Sequence, residues 1–385
     1  MAKAVTIHSQ RSVAAVFLTF FVNGALFGTW VSRIPAIQTQ LRMNEALLGL
    51  VLLGLSAGVV AGLSLAAGWI SRKGSKAVTT KSFAVTWALL PALAFAPTPS
   101  SLAVLLFLVG AALSVMDVAM NEQAVFVDQQ NGSPLMSRFH GAFSLGGLVG
   151  ALIGAVLAGS DIQPAPHFIS ACLLFGIVML IAIRDLPRQT HQQQKTEPLF
   201  SLPRRPLWPL GLVALISSVG EGAMADWSAV FLVKALDSPE GTAALGFAAY
   251  SLTMTIARLL GDRLNGKFTP KRIVQGGGWI ATSGLLIVVL TPQQSWALAG
   301  LMLVGLGLAN IIPIAFTAAG HFPGVAPETG IASVATIGYA GFLAGPPIIG
   351  LVADITSLRT ALMLLTPLLA LLPWVATAVN IKAQK

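Results

Sequence analysis

Cysteine is almost absent from this 385-residue chain: Cys172 is the single one, and it lies in an apolar run. An intramolecular disulfide and a metal site built on cysteine are therefore excluded. Charge is scarce too, at 10% of residues against about a quarter in soluble domains. The G-x-x-x-x-G-K-[ST] pattern does not occur and no long soluble segment could house a nucleotide-binding domain, which argues against direct use of nucleotide. The five histidines, His8, His140, His167, His191 and His321, lack H-E-x-x-H or similar spacing, which argues against a metalloenzyme. No metal and no cofactor is expected. A secretory leader is not expected either, because Val13 to Ser32 is too long for a signal core and reads better as a membrane span.

Apolar length is what the chain has in abundance. Hydrophobic residues make up 55% of it, and mean hydropathy is +0.80. Residues 13–380 read as twelve runs of about twenty residues, each long enough to cross a hydrocarbon core. The runs are predicted near 13–32, 46–70, 77–96, 101–122, 139–160, 166–184, 208–232, 243–261, 272–291, 295–318, 329–353 and 358–380. They fall into two sets of six, residues 1–184 and 208–385, around a polar linker at 185–207. The expected fold is an all-α membrane protein with two pseudo-symmetric six-helix bundles.

The basic residues give the orientation. All but four of the 23 lysines and arginines fall at the amino terminus, in the linker, in the tail, in the loops after spans 2 and 4, and at the end of span 8 with the loop after it. The exceptions are Arg33, Arg42, Lys234 and Arg359. Positive loops stay in the cytoplasm, so both termini and the linker are expected there, in an inner (plasma) membrane. The net charge of +9 is thus a topology signal, with anionic lipid headgroups as added partners. It is not read as a nucleic-acid footprint.

The halves show weak internal similarity. Trp30 in span 1 matches Trp227 in span 7 at an offset of 197, while Val109-Gly110 matches Val304-Gly305 and Gly146 and Gly150 match Gly341 and Gly345, each at an offset of 195. Gly68-Trp-Ile-Ser-Arg72-Lys73-Gly74 follows span 2 where Gly261-Asp262-Arg263-Leu-Asn-Gly266-Lys267 follows span 8. Ordered matches of this kind mark a duplicated membrane unit. In these features the whole chain resembles the major facilitator superfamily. Within it, Asp117-Val-Ala-Met-Asn121 and His140-Gly-Ala-Phe-Ser-Leu-Gly-Gly147 are similar to the fucose-permease branch. Glu221-Gly-Ala-Met-Ala-Asp226-Trp227 and the segment Gly338 to Pro347 resemble YbjJ-type inner-membrane proteins. The resemblance implies a secondary transporter working by alternating access. It also implies gate clusters at Gly68, Arg72 and Lys73 and at Arg258, Gly261, Asp262 and Arg263; the first lacks the acidic residue of the family pattern.

A charge at the bilayer centre costs roughly 2.5–3.5 kcal/mol on insertion scales, so acids within spans need a reason. Asp117 and Asn121 lie one turn apart on one helical face. Such a pair can accept a proton and bind a hydroxylated solute, or it can simply satisfy a neighbouring helix. Glu122 reads as a solvated helix-end carboxylate. Glu221, flanked by Gly220 and Gly222, reads as a cavity residue, the glycines allowing close approach of a solute or local unwinding. Asp226 lies about 140° further around the helix and is expected to meet Arg33 at the outer rim; a snorkelling Arg33 is the alternative. Asn23, Trp30, Trp227, Asn310 and Tyr339 complete the candidate substrate or proton site, although each alone is more often a packing residue. The fucose-permease pattern has an acid in span 1 where this chain has Asn23, which moves the expected coupling to Asp117 and Glu221. Arg258 and Asp262, four apart, can share one helical face as a gate pair.

The readings left open are proton-coupled symport of a small sugar-like solute, proton-antiport efflux of amphipathic compounds, and a non-transporting membrane sensor. An enzyme is not expected, and the chain is expected to work as a monomer. If the orientation holds, cysteine labels placed near Lys76 and Lys195 stay inaccessible from outside intact cells while one near Asn44 reacts. Labelling of the linker from outside would overturn it.

Overall fold

A computed structural model of the chain describes residues 2–131, 135–187 and 205–380. Most of the expected linker, including Arg188, Lys195 and Arg204, and the tail with Lys382 and Lys385 lie outside the described residues. The described residues are mostly helical and contain no strand. Twelve helical segments correspond to the twelve predicted spans: α1 (Ala2–Val31), α2 (Glu45–Lys73), α3 (Ser75–Leu93), α4 (Pro99–Asn131), α5 (Met136–Gly159), α6 (Pro164–Asp185), α7 (Trp208–Leu236), α8 (Glu240–Leu259), α9 (Pro270–Leu290), α10 (Gln294–Gly320), α11 (Pro327–Ile355) and α12 (Leu358–Val379). Ten of them are long and apolar enough to cross a membrane. The other two, α3 and α8, are long enough but carry more polar residues, such as Lys76, Lys81, Thr253 and Thr255. Hydrocarbon offers a backbone no hydrogen-bond partner, and a helix satisfies its own groups along its length.

Proline opens α6, α7, α9 and α11 within the first turn, where its missing N–H is not needed. Gly74 joins α2 to α3 at φ 80°, a left-handed turn open to glycine without strain. Several helices outrun their predicted ends. α4 continues to Asn131, so Glu122 lies well inside a helix and is half-buried. The expectation of a helix-end carboxylate is corrected: apolarity marks the membrane, while Asn, Glu and Gln continue a helix beyond it. α10 breaks at Ala309–Asn310 and α12 is a succession of short helical pieces.

By internal packing the chain divides into two compact units, Met1–Arg42 with Gly54–Thr196, and Met43–Leu53 with Glu197–Lys385. The start of α2 groups with the second unit because Gly49 packs on the Pro346 carbonyl and Gly350 of α11, and Glu45 lies 4.0 Å from Lys234. The faces turned outward are apolar, as at Val156, Leu180 and Leu290.

Glycine sets the distance between helices. In the first unit a methyl group at Gly110 would strike the Leu55 carbonyl of α2; in the second, one at Gly305 would strike the Tyr250 carbonyl of α8. Both contacting pairs are related by the same offset of 195, so the repeat read from the sequence is a repeated backbone contact. Gly146 and Gly150 likewise touch α1 at Phe21 and Ala25, and Gly341 touches α7 at Leu215. Gly345 breaks the parallel, having open space around it. Small residues give such close approach, which is how membrane helices associate without a hydrophobic driving force.

Helix ends are closed by cations. Arg33 donates to the Ile162 carbonyl just past α5. Lys76 donates to the carbonyls of Arg184 at 3.1 Å and Leu186 at 3.2 Å, at the end of α6. Arg359 donates to the carbonyls of Val289, Thr291 and Ala235 at the ends of α9 and α7, with its guanidinium 5.6 Å from the Phe231 ring centre. The last carbonyls of a helix have no internal partner, and a cation there also complements the helix dipole.

The glycine contacts give a direct test. Gly305→Ala forces α8 and α10 apart, an overpacking cost of about 1–3 kcal/mol, whereas Gly276→Ala meets no atom within 4 Å. Thermal unfolding in detergent is expected to show a melting temperature several degrees lower for Gly305→Ala and one unchanged or higher for Gly276→Ala. Equal behaviour of the two would remove the close contact as a determinant of the fold.

Candidate functional site

In the first unit, the spacing of Asp117 and Asn121 on α4 produces the expected contact. The Asn121 amide donates to the Asp117 backbone carbonyl at 2.9 Å and to its carboxylate Oδ1 at 3.3 Å. Beside it, Asn23 of α1 is buried with its Nδ2 3.6 Å from the Met120 sulfur, a weak acceptor. Asn23, Met120, Asp117 and Asn121 therefore share one region of the bundle. Below them Phe20 stacks on Phe139 at 5.7 Å and meets the His140 ring edge-on at 5.4 Å, which fixes the start of α5 against α1.

In the second unit, Glu221 of α7 lies against Arg258 of α8, Oε2 to Nη2 at 3.5 Å. The two side chains are 15% and 16% exposed, so the pair is held mostly out of solvent. Ser217, one turn before Glu221, donates to its Oε1 at 3.5 Å. Tyr250, also on α8, is buried within electrostatic range of both charges. Asn310 occupies the break in α10, donating to the Ala257 carbonyl at 3.2 Å, while Arg258 Nε donates to the Ala309 carbonyl at 3.4 Å. The broken helix thus supplies backbone and amide groups to the turn of α8 that carries Arg258. The Glu221–Arg258 distance is longer than the roughly 2.7–2.9 Å of a tight charge-assisted bond.

One expectation about this unit changes. α7 runs unbroken through Gly220–Gly222, with Leu308 and Leu369 against the first glycine and Phe342 against the second. These glycines admit neighbouring side chains, not unwinding. Arg258, expected at the gate beside Asp262, lies against Glu221; the expected pair with Asp262 falls outside the described residues. Of the other gate residues, Gly261 packs on the Asn310 amide oxygen, Gly68 has open space around it, and Arg72, Lys73 and Arg263 are exposed. Asp226 is buried in α7 and Arg33 is buried in the first unit on the Ile162 carbonyl. Tyr339 is half-buried on α11.

Unsatisfied polar atoms add what spacing alone could not. Among the described residues, the indole N–H groups of Trp30 and Trp227 and the Tyr250 hydroxyl are buried without a hydrogen-bond partner. So are the amide of Gln123 and both ring nitrogens of His167. Each such group costs about 1–3 kcal/mol. The tryptophans are the sequence-matched pair, so the same unsatisfied donor recurs in both units. Gln123 and His167 were missed because a single amide or imidazole in an apolar run carries no pattern. Arg258 could have been found, since it falls inside span 8 and not after it.

A family model described as Major Facilitator Superfamily matches residues 13–327. An uncharacterized MFS-type transporter of Yersinia pestis is 36% identical over 344 residues, covering 89% of each chain. Among solved structures, a mutant of the nucleoside transporter NupG superposes with a TM-score of 0.77 at 14% identity, covering 96% of this chain and all of that one. The fucose:proton symporter FucP of E. coli superposes with a TM-score of 0.62 at 18% identity, covering 96% and 98%. With its twelve helices, its duplicated glycine contacts and this family match, the chain belongs to the major facilitator superfamily of membrane transporters.

Proposed function

We propose that this transporter is a proton-coupled symporter that moves a small polar, sugar-like solute by alternating access. The observation that carries the reading is the Glu221–Arg258 pair within the second unit, 3.5 Å apart and mostly buried. Arginine keeps its charge at every physiological pH, so a proton on Glu221 decides whether the pair exists. Removing one partner of a buried pair costs about 3–5 kcal/mol. Inverting a two-state population from 1:99 to 99:1 takes about 5.5 kcal/mol. One proton at this position therefore has the leverage to bias a carrier between its states. Asp117, with Asn121 hydrogen-bonded to it, supplies a second acid and an amide suited to a hydroxylated solute. The fucose-permease-like motifs on α4 and α5 support a sugar-like cargo.

Asn23, Trp30, Trp227, Asn310 and Tyr339 complete the proposed solute and proton site. Gly68, Arg72, Lys73, Gly261, Asp262 and Arg263 are assigned to gates, and Arg33 with Asp226 to an outer contact. The distribution of basic residues supports an inner-membrane protein with both termini and the linker in the cytoplasm, and monomeric action is proposed with it.

Purified protein in proteoliposomes with an imposed pH gradient tests the reading. Glu221→Gln and Asp117→Asn are expected to lose net accumulation while solute exchange, which needs no net proton movement, survives. Accumulation at the wild-type level in both variants would make these acids structural. Solute leaving as protons enter would reassign the carrier to antiport.

A further inference from the structure

Pro313 stands four residues past Ala309 in α10. A proline has no N–H to give to the carbonyl four residues back, and its ring crowds that carbonyl. The helix breaks at that place: it stops at Leu308 and resumes at Ile311, leaving Ala309 and Asn310 in a turn. Ala309 is fully buried, so the carbonyl that Pro313 cannot serve needs another donor. Arg258 provides one, its Nε donating at 3.4 Å.

The same break turns Asn310 back onto α8. Its amide nitrogen donates at 3.2 Å to the carbonyl of Ala257, the residue before Arg258. Its amide oxygen lies only 2.7 Å from where a Cβ at Gly261 would stand, so glycine there admits it. Two consecutive residues of α10 thus hold the turn of α8 that carries Arg258. One holds the arginine side chain and the other the backbone beside it. Arg258 uses separate nitrogens for its two contacts, Nε on the Ala309 carbonyl and Nη2 on the Glu221 carboxylate. A guanidinium is a rigid plane, so a partner for Nε restricts where Nη2 can point. The first unit gives the contrast. At the offset of 195, Pro313 corresponds to Val118 and Arg258 to Leu63, and α4 runs unbroken from Pro99 to Asn131. Where the proline is missing, the arginine is missing too.

We infer that Pro313 is a positioning residue of the Glu221–Arg258 pair: by vacating the Ala309 carbonyl it gives the guanidinium a fixed backbone partner, which presents Nη2 to Glu221. This rests on the proposal that the pair carries the coupling.

A double-mutant cycle reads the positioning without any solute. Melting temperatures in detergent are measured for wild type, Glu221→Gln, Arg258→Gln and the double variant, and the four are repeated with Pro313→Ala. In the wild-type background the double variant is expected to melt several degrees above the temperature that adding the two single shifts gives. The pair is lost once there, not twice. With Pro313→Ala that excess is expected to fall by roughly half or more. A purely structural role for Pro313 would shift all four proteins alike and leave the excess as it was. Amide hydrogen exchange checks the cause. The first amides of a helix have no acceptor within it, so restoring the N–H at 313 should close the helix and slow exchange at Ile311 and Ile312. Pro313→Gly restores the same N–H and is the second variant should Pro313→Ala not fold.

An excess that survives closure of the helix overturns the inference and leaves the symport proposal standing. Exchange at Ile311 and Ile312 as fast as in wild type overturns it as well, because Pro313 would then not be the cause of the break. No excess even in the wild-type background would show that Glu221 and Arg258 do not act on one another. The symport proposal would then lose the observation that carries it, and the positioning role would fall with it.

Discussion

Hydrocarbon gives a polypeptide nothing to hydrogen-bond to, and most of what this chain does with its polar groups follows from that. Helices pair their own backbone groups along their length, which leaves their ends as the problem. Arg33, Lys76 and Arg359 close such ends by donating to carbonyls of Ile162, of Arg184 and Leu186, and of Val289, Thr291 and Ala235. Two of these three cations are among the four that break the positive-inside pattern. Their position is explained by the carbonyls they serve, so they weaken the topology argument less than their count suggests. A third exception, Lys234, stands 4.0 Å from Glu45 with 46% of its side chain exposed; a pair of that kind contributes at most about 1 kcal/mol.

The same constraint sorts the polar side chains inside the bundles. Thr19, Thr29, Thr86 and Thr282 return their hydroxyls to the carbonyl one turn back and need no further explanation. Trp30, Trp227 and Tyr250 do not, and each holds a buried donor without a partner among the described residues. Asp117 and Glu221 have partners of different kinds. The amide of Asn121 can accompany either protonation state of Asp117, whereas Arg258 favours only the ionised form of Glu221. A proton arriving at Glu221 therefore changes a large interaction, and one arriving at Asp117 changes a small one. That difference places the greater part of the proposed coupling in the second unit.

Much of the fold was legible because the membrane writes it into composition. Twelve apolar runs, the basic loops and the offset of 195 at Gly110 and Gly305 correspond to twelve helices and one contact made twice. Helix ends were legible only where apolarity and helix stop together; α4 runs on to Asn131 through Asp128, Gln129 and Gln130, whose polarity hides the helix from a reading based on apolar runs. The site was legible in part. Asp117 with Asn121 could be read because i, i+4 spacing is a local property. Glu221 could be singled out as a charge in a span, but its partner is 37 positions away on another helix, and no spacing rule reaches that far. Nor could the glycines around Glu221 be told apart in advance, since the same residue serves a solute, a hinge or the side chains of Leu308, Leu369 and Phe342.

Duplication explains why scaffold and chemistry part company. The contact of Gly110 with Leu55 recurs as Gly305 with Tyr250, because both halves must bring two helices to backbone distance and only glycine allows it. The charged groups do not recur. At the same offset Asp117 corresponds to Ile312 and Arg258 to Leu63, and at the offset of the matched tryptophans Glu221 corresponds to Gly24. A residue fixed by packing is constrained equally in both units, since each must close its own bundle. A buried charge is costly wherever it stands, so a second copy adds expense without adding a function. Tyr250 shows the two demands meeting at one residue: its backbone carbonyl belongs to the repeated helix contact, and its hydroxyl, which the equivalent Leu55 lacks, is buried without a hydrogen-bond partner among the described residues. The repeated contact holds the helix in place, and the side chain that the repeat leaves free is the one available for chemistry.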